Sequence, residues 1–350
     1  MRIAVVAFET SHRTARAGIA RTETLARALS RRGHDVTVFC AQWWYGPDAG
    51  PWRVDDDLRF RRIDIAPDVP TAVARLPAQL ARFGPDVVHA TPTPPAVLVA
   101  ARAGATLARA PLVCDWYGDE RFDSPLDGPA RRAPTHSIVP SEYVESGLRE
   151  RGVSSDDLTV LPEFLAFETI ESVDPAGEAN IVAGRRLDAD ANLESLFLGL
   201  AELRREDWSV TVIGDGPARS EFEQAAADLR IADRVTFVGD IPRAERIAHY
   251  RSAHTFVHTA RRESFATELM WALACGCTGV VEYQGDSAAH ELVERRPRGF
   301  RVTTSEEIAG AIQDARELDH RTIDRSLSAF DREQVLGRLI GLYQELDASH

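Results

Sequence analysis

Residues 254–284, HTFVHTARRESFATELMWALACGCTGVVEYQ, read as strand, loop, helix, strand. His254–His258 is a short β-branched and aromatic run, and the loop Thr259–Ser264 follows it. Phe265–Ala274 has apolar residues at helical spacing, Gly276 closes the helix, and Gly279–Tyr283 is a second strand. Parallel α/β proteins place ligands where a strand end runs through a loop into a helix, because helix-start N–H groups and strand ends converge there. The loop carries Arg261, Arg262 and Glu263. Cations beside helix-start amides suit a phosphate, and a carboxylate suits hydroxyls or developing positive charge. The stretch is therefore either an anion-plus-polyol site or a solvated loop before a buried helix.

Outside this stretch, 350 residues and a hydrophobic share of 44% fit about two soluble domains. No apolar run approaches the ~20 residues that span a bilayer, and Met1 leads straight into a strand instead of a cleavable signal, so a cytoplasmic location is expected. Cys40, Cys114, Cys275 and Cys277 lie in or beside apolar runs, as reduced, buried thiols do. Cys275 and Cys277 have no companion His cluster, so no metal site is expected there. The chain contains no lysine: its 41 basic residues are all arginine, set against 54 acids for a net charge of −13. That excess argues against a nucleic-acid partner, which needs a basic face. It suits solvation in concentrated salt, where screening removes self-repulsion, as in the cytoplasm of a halophilic archaeon.

The first half alternates. Arg2–Glu9 is a buried strand, a polar loop leads through Ala17 and Gly18 into a helix over Ile19–Arg32, and Asp35–Cys40 is the next strand: a βαβ unit. Gly18 at the helix start lets a phosphate or sugar approach the backbone, although helix capping is the commoner reason for a single glycine there. Gln42–Trp52 crowds aromatics into a loop, suited to stacking on a sugar acceptor, to a peripheral contact with the inner face of a membrane, or to a small satellite core. A helix regular from Pro77, strands ending at His89 and Trp116, and a strand–helix pair at 135–151 follow. Residues 166–179, with Pro175 and Gly177, read as a linker between a first domain over 1–165 and a second over 180–328. The second half repeats the alternation, and 329–350 is amphipathic. Two doubly wound parallel sheets follow from this pattern.

The segment ESFATELMWALACG with its Gly-Val-Val strand resembles the donor site of family-4 glycosyltransferases, which have the GT-B architecture of two Rossmann-like domains facing across a cleft. The resemblance runs from Arg2 to Leu346. It implies a retaining, metal-independent transfer of a sugar from a nucleotide-diphosphate donor to a glycan, lipid or small-molecule acceptor, with no cofactor. Glu263 matches the family's first Glu, with Phe265, Ala266 and Thr267 behind it and Arg262 before it. Arg186 matches the diphosphate arginine, with Arg185 beside it. Gly214 in Ile213–Pro217 and Gly239 at the end of the next strand match the base and ribose region. Gly18 falls in the loop that faces acceptor and diphosphate, and the final helix is expected to cross back onto the first domain.

Three family positions are changed. Tyr117 stands where a His lies over the donor sugar, so Tyr117 and Glu263 form the expected catalytic pair. Ala191 replaces a diphosphate lysine, for which Arg185, Arg261 or Arg262 could substitute. Trp271 replaces the second Glu, eight positions after the first, that holds the donor ribose. Partial exposure of Trp271 to the donor pocket is expected, with Glu268 facing the diphosphate. Two function classes fit: a glycosyltransferase with an altered donor subsite, or a non-catalytic GT-B relative that binds a sugar or a protein partner.

Overall fold

A computed structural model describes residues 1–45, 50–65, 68–177 and 180–349 of the chain. It divides into two units, Met1–Pro162 with Glu333–His350, and Glu163–Arg332. The first unit runs β1 (Arg2–Val6), α1 (Ala17–Arg31), β2 (Asp35–Ala41), β3 (Trp52–Asp55), β4 (Leu58–Asp64), α2 (Val69–Phe83), β5 (Val87–Ala90), α3 (Pro95–Ala108), β6 (Leu112–Asp115), α4 (Asp127–Arg132), β7 (His136–Val139), α5 (Glu142–Glu150) and β8 (Leu158–Val160). The second unit runs α6 (Phe167–Glu171), β9 (Ile181–Gly184), α7 (Leu193–Glu202), β10 (Val210–Ile213), α8 (Arg219–Asp228), β11 (Val235–Gly239), α9 (Arg243–Ser252), β12 (Thr255–His258), β13 (Arg262–Glu263), α10 (Thr267–Ala274), β14 (Thr278–Glu282), β15 (Asp286–Ser287), β16 (Gly299–Val302) and α11 (Ser305–Arg316). Helix α12 (Arg332–Ala348) returns the chain to the first unit.

The first sheet has the order β3-β4-β2-β1-β5-β6-β7-β8, parallel except where β3 pairs antiparallel with β4. The second has the order β11-β10-β9-β12-β14-β16, parallel throughout. In both sheets the winding reverses beside the unit's first strand, between β1 and β5 and between β9 and β12. Such a reversal opens a crevice at the carboxyl ends of the strands. The central strands β1, β2, β9, β10 and β12 are buried on both faces, as their nearly unbroken Val, Ile, Ala and Phe content requires.

Three expectations change. Helix α2 begins at Val69 and runs through Pro77 instead of becoming regular there. The ring lies against α3, where a Cβ on Gly104 would meet Pro77 Cα at 3.1 Å and Leu80 Cδ1 at 2.7 Å; close helix–helix packing compensates for the missing N–H. Residues 166–179 are not a free linker: α6 buries Phe167 and Ile170 in the second unit's core. Leu165 donates to Phe330 O and accepts from Arg332 N (3.0 and 2.8 Å), so both chain crossings belong to the second unit and its bounds widen accordingly. The last two residues of that stretch, 178–179, lie outside the described residues, as do 46–49 of the aromatic loop.

Candidate functional site

Two crevices result, one in each unit. In the second unit, β9 ends at Gly184 and Arg185 follows, while β12 ends at His258. Arg185 Nη1 lies 3.7 Å from Glu263 Oε2, and the guanidinium also reaches Asp188 Oδ1 and the carbonyls of Arg186 and Asp190. Gly214 makes this possible. It has φ +130°, donates to Gly239 O (2.8 Å), and a Cβ there would sit 1.8 Å from Arg185 O. Glu263 is fixed by the short β13–β15 ladder, whose register pairs it with Ser287. Burial raises its carboxyl to about 7, Arg185 pulls it down, and Asp188, Glu163 and Glu268 push it up. His258 is buried, and the same burial, with Arg185, lowers its imidazole to about 3, so it is neutral at working pH.

The loop 188–192 accounts for the absent lysine. Ala191 is fully buried, leaving no room for a long side chain to emerge. Arg261 lies across this loop, donating to Ala189 O (3.2 Å) and Asn192 Oδ1 (2.7 Å). Asn192, at φ 54°, donates in turn to Thr259 O and Glu282 Oε2, both at 3.0 Å. Arg186 is 70% exposed, with Asp188 3.9 Å away, and Arg262 is exposed on β13. Phe265 and Ala266 are buried in the unit's core, and Thr267 donates its N–H to Phe265 O (3.0 Å).

The structure corrects the expectations for Trp271 and Glu268. Trp271 is 8% exposed and packed in the core, with the Arg243 guanidinium 5.0 Å above its ring, so little of the indole is left to face a ligand. Glu268 faces α9 instead of a ligand. Its two oxygens accept from Arg243 Nη1 (3.0 and 2.9 Å), Arg246 Nη1 (2.7 Å) and Tyr250 Oη (2.6 Å). A carboxylate that accepts four hydrogen bonds from three donors has no capacity left, and it would in any case repel a diphosphate. The sequence pattern gave no sign of this cage, because its partners lie on a different helix.

In the first unit, Gly18 is the second residue of α1, and a Cβ there would meet Tyr117 Cβ at 2.9 Å. The glycine thus admits Tyr117 as well as any ligand. Tyr117, the other residue of the expected catalytic pair, lies in this unit and is 6% exposed, its ring packed into the protein. The backbone N–H groups of Tyr117 and Gly118 donate to Glu120 (2.8 and 2.9 Å). Burial outweighs those bonds and raises Glu120 to about 7. Asp119 accepts from Arg16 Nε at 3.3 Å, and Thr91 and Thr93 complete the crevice with Asp115.

Beneath lies a buried network that sequence reading missed. Arg21 Nε reaches both oxygens of Asp115 (3.0 and 3.1 Å), and Arg21 Nη2 donates to Leu161 O at 2.6 Å. His89 Nε2 lies 3.7 Å from Asp115 Oδ2, and His89 Nδ1 lies 2.6 Å from Tyr343 Oη on α12. Burial alone would raise Asp115, but Arg21 and His89 outweigh it and hold the carboxyl low. The aromatic loop divides: Trp43 stacks on His12 with centroids 3.6 Å apart and Trp44 is buried, a satellite core, whereas Tyr45 and Trp52 are exposed. The four cysteines are buried and free, and no three His, Cys, Asp or Glu side chains cluster as metal ligands among the described residues. No helix among them is long and apolar enough to cross a membrane.

Known proteins share this organisation. Residues 17–163 match the family described as glycosyl transferase 4-like domain, and residues 170–326 match glycosyl transferases group 1. The chain is 25% identical over 178 residues to the alpha-monoglucosyldiacylglycerol synthase of Streptococcus pneumoniae, a match covering 49% of this chain and 40% of that protein. It is 24% identical over 326 residues to the GDP-mannose-dependent alpha-(1-6)-phosphatidylinositol monomannoside mannosyltransferase of Mycobacterium tuberculosis, covering 85% of this chain and 81% of that one. Anabaena HepE, solved with UDP, superposes with a TM-score of 0.75 at 17% identity over 99% of this chain and 100% of that one, a likeness of fold. With its two domains matched in order on two doubly wound sheets, the chain belongs to the family-4-type GT-B glycosyltransferases, as an enzyme of the hexosyltransferase kind.

Proposed function

We propose that the protein moves a hexosyl group from a nucleoside-diphosphate sugar, held at the carboxyl edge of the second sheet, to a hydroxyl of a glycan or lipid-linked acceptor, with retention at the anomeric carbon and without a metal. The observation that carries this reading is the Arg185–Glu263 pair, 3.7 Å apart at the reversal of the strand order. Arg185 is placed to neutralise the departing phosphate, and Glu263 to accept from sugar hydroxyls. Arg186 and Arg262, both exposed, add positive charge at the same edge. Preorganised charge of this kind acts where the leaving group develops its own.

The UDP in the Anabaena neighbour and the GDP-mannose in the mycobacterial relative's name support a nucleotide donor. The glycolipids named for both relatives support a lipid-linked acceptor. Exposed Tyr45 and Trp52 support a peripheral membrane contact. The test is release of UDP or GDP from UDP-glucose and GDP-mannose in molar KCl, with and without EDTA, and the anomeric configuration of the product by NMR. Transfer that survives EDTA and keeps the donor's anomeric configuration is expected. Donor binding with neither hydrolysis nor transfer would leave the non-catalytic reading in its place.

A further inference from the structure

The carboxyl edge of the second sheet holds several arginines, and they differ in what their donors already do. Arg246 gives Nε to Ile241 O, Nη1 to Glu268 and Nη2 to Asp240. Arg185 and Arg261 are bound to the loop 185–192 and to one another's neighbours there. Arg186 and Arg262 project into solvent with no fixed orientation to offer. Arg243 is different. It opens α9 directly after the loop that leaves β11, so it stands at the strand ends. The Trp271 ring supports its guanidinium from one side, and Nη1 alone makes both bonds to Glu268. Among the described residues its Nε and Nη2 have no hydrogen-bond partner, and its side chain is 39% exposed. A planar cation fixed on one nitrogen, supported by an indole and open along its Nε–Nη2 edge has already lost the rotamer freedom that binding would otherwise cost.

We propose that Arg243 is a binding residue for the donor nucleotide, its Nε–Nη2 edge gripping two adjacent acceptor atoms of the ligand. The proposal rests on the donor reading above. Two parts of a nucleotide supply such a pair: two non-bridging oxygens of a phosphate, or O6 and N7 of a guanine. Uracil has no equivalent pair on one edge. The indole at position 271 then has a role of its own. It is the surface over which the guanidinium sits, and Glu268, held by Arg246 and Tyr250, anchors the guanidinium through Nη1.

Binding of GDP, UDP and inorganic pyrophosphate is measured by calorimetry in molar KCl for the wild type, Arg243→Ala and Arg243→Lys, with thermal melts of each. Both variants are expected to bind more weakly by about tenfold or more, at melting temperatures close to wild type. The lysine keeps the charge and its pair with Glu268 but lacks the fork, so recovery is not expected. Weakening of all three ligands places the grip on phosphate; weakening of GDP alone places it on guanine. Affinities within twofold of wild type in both variants, or full recovery by lysine, overturn the role of Arg243. A wild type that binds none of the three overturns the donor reading beneath it and the proposal with it.

Discussion

The two sheets reverse their winding in the same way beside the unit's first strand, yet their carboxyl edges hold charge in opposite ways. In the first unit the charges are paired off with one another: Arg21 with Asp115 in the interior, Arg16 with Asp119 nearer the surface, and Glu120 with the amides of its own loop. In the second unit arginine is in surplus, and part of it (Arg186, Arg262 and the open edge of Arg243) faces outward. A shared fold therefore supplies a location but no chemistry. The first edge holds α1, β6 and α12 together, and the second is the one where we propose that the donor's phosphates bind.

That contrast makes separable predictions. The largest effect is expected at Asp115. Replacing it with alanine leaves Arg21 buried without its counter-charge, and urea unfolding should show a loss of about 3–5 kcal/mol. Donor affinity of the fraction that remains folded should not change. Arg185→Ala should do the reverse, lowering turnover about 100-fold or more, equivalent to ~2.7–4 kcal/mol, with a melting temperature near wild type. Arg186→Ala should cost less, because that side chain is 70% exposed and loosely held. Should Asp115→Ala abolish donor binding, or Arg185→Ala unfold the chain, the division of labour would be wrong.

A pH titration sharpens the same comparison. Glu120 and Glu263 are each raised to about 7, whereas an unfolded glutamate titrates near ~4.3. The folded chain thus keeps protons that the unfolded chain has released. The stability this adds is complete below the unfolded value and is lost as pH rises through about 7. Asp115 is held low, so its contribution runs the other way and is lost only in acid, as pH falls through its folded value. Melting temperature should therefore fall between pH 5 and 8, and less steeply in a Glu120→Gln, Glu263→Gln double variant. Turnover should rise over the same interval as Glu263 ionises. The smallest effect expected is with salt. Melts in increasing KCl should climb gradually, since a charge of −13 without lysine repels itself until screened; a flat or falling curve would remove the salt-rich habitat.

The order of elements was legible because it is local. Alternating apolar runs and helical spacing mark both sheets, and Gly276, at φ 94°, closes α10 where the pattern stops. Glu263 and Arg186 stand out by resemblance to the family's donor segment, and Arg185 only as one possible substitute for the missing lysine. What was not legible depends on distance along the chain. Arg21 meets Asp115 across 94 positions, and His89 meets Tyr343 across 254, so no spacing rule connects them. Trp271 was misplaced for a related reason. One of the groups that meet it, Arg243, comes from α9, 28 positions earlier in the chain, and helical spacing within α10 does not show it.

The antiparallel strand β3 carries a cost of its own. It is the outermost strand of the first sheet and pairs with β4 alone among the described residues, so its far side is an open template of backbone donors and acceptors. Trp52 and Val54, two residues apart and both exposed, point the same way along it. In dilute buffer the acidic surface keeps molecules beyond sticking distance. At molar ionic strength the screening length shrinks to roughly 3 Å, about the length of one hydrogen bond. The salt that relieves the fold of its own repulsion thus leaves this rim without colloidal protection, and turbidity in concentrated stocks should begin there.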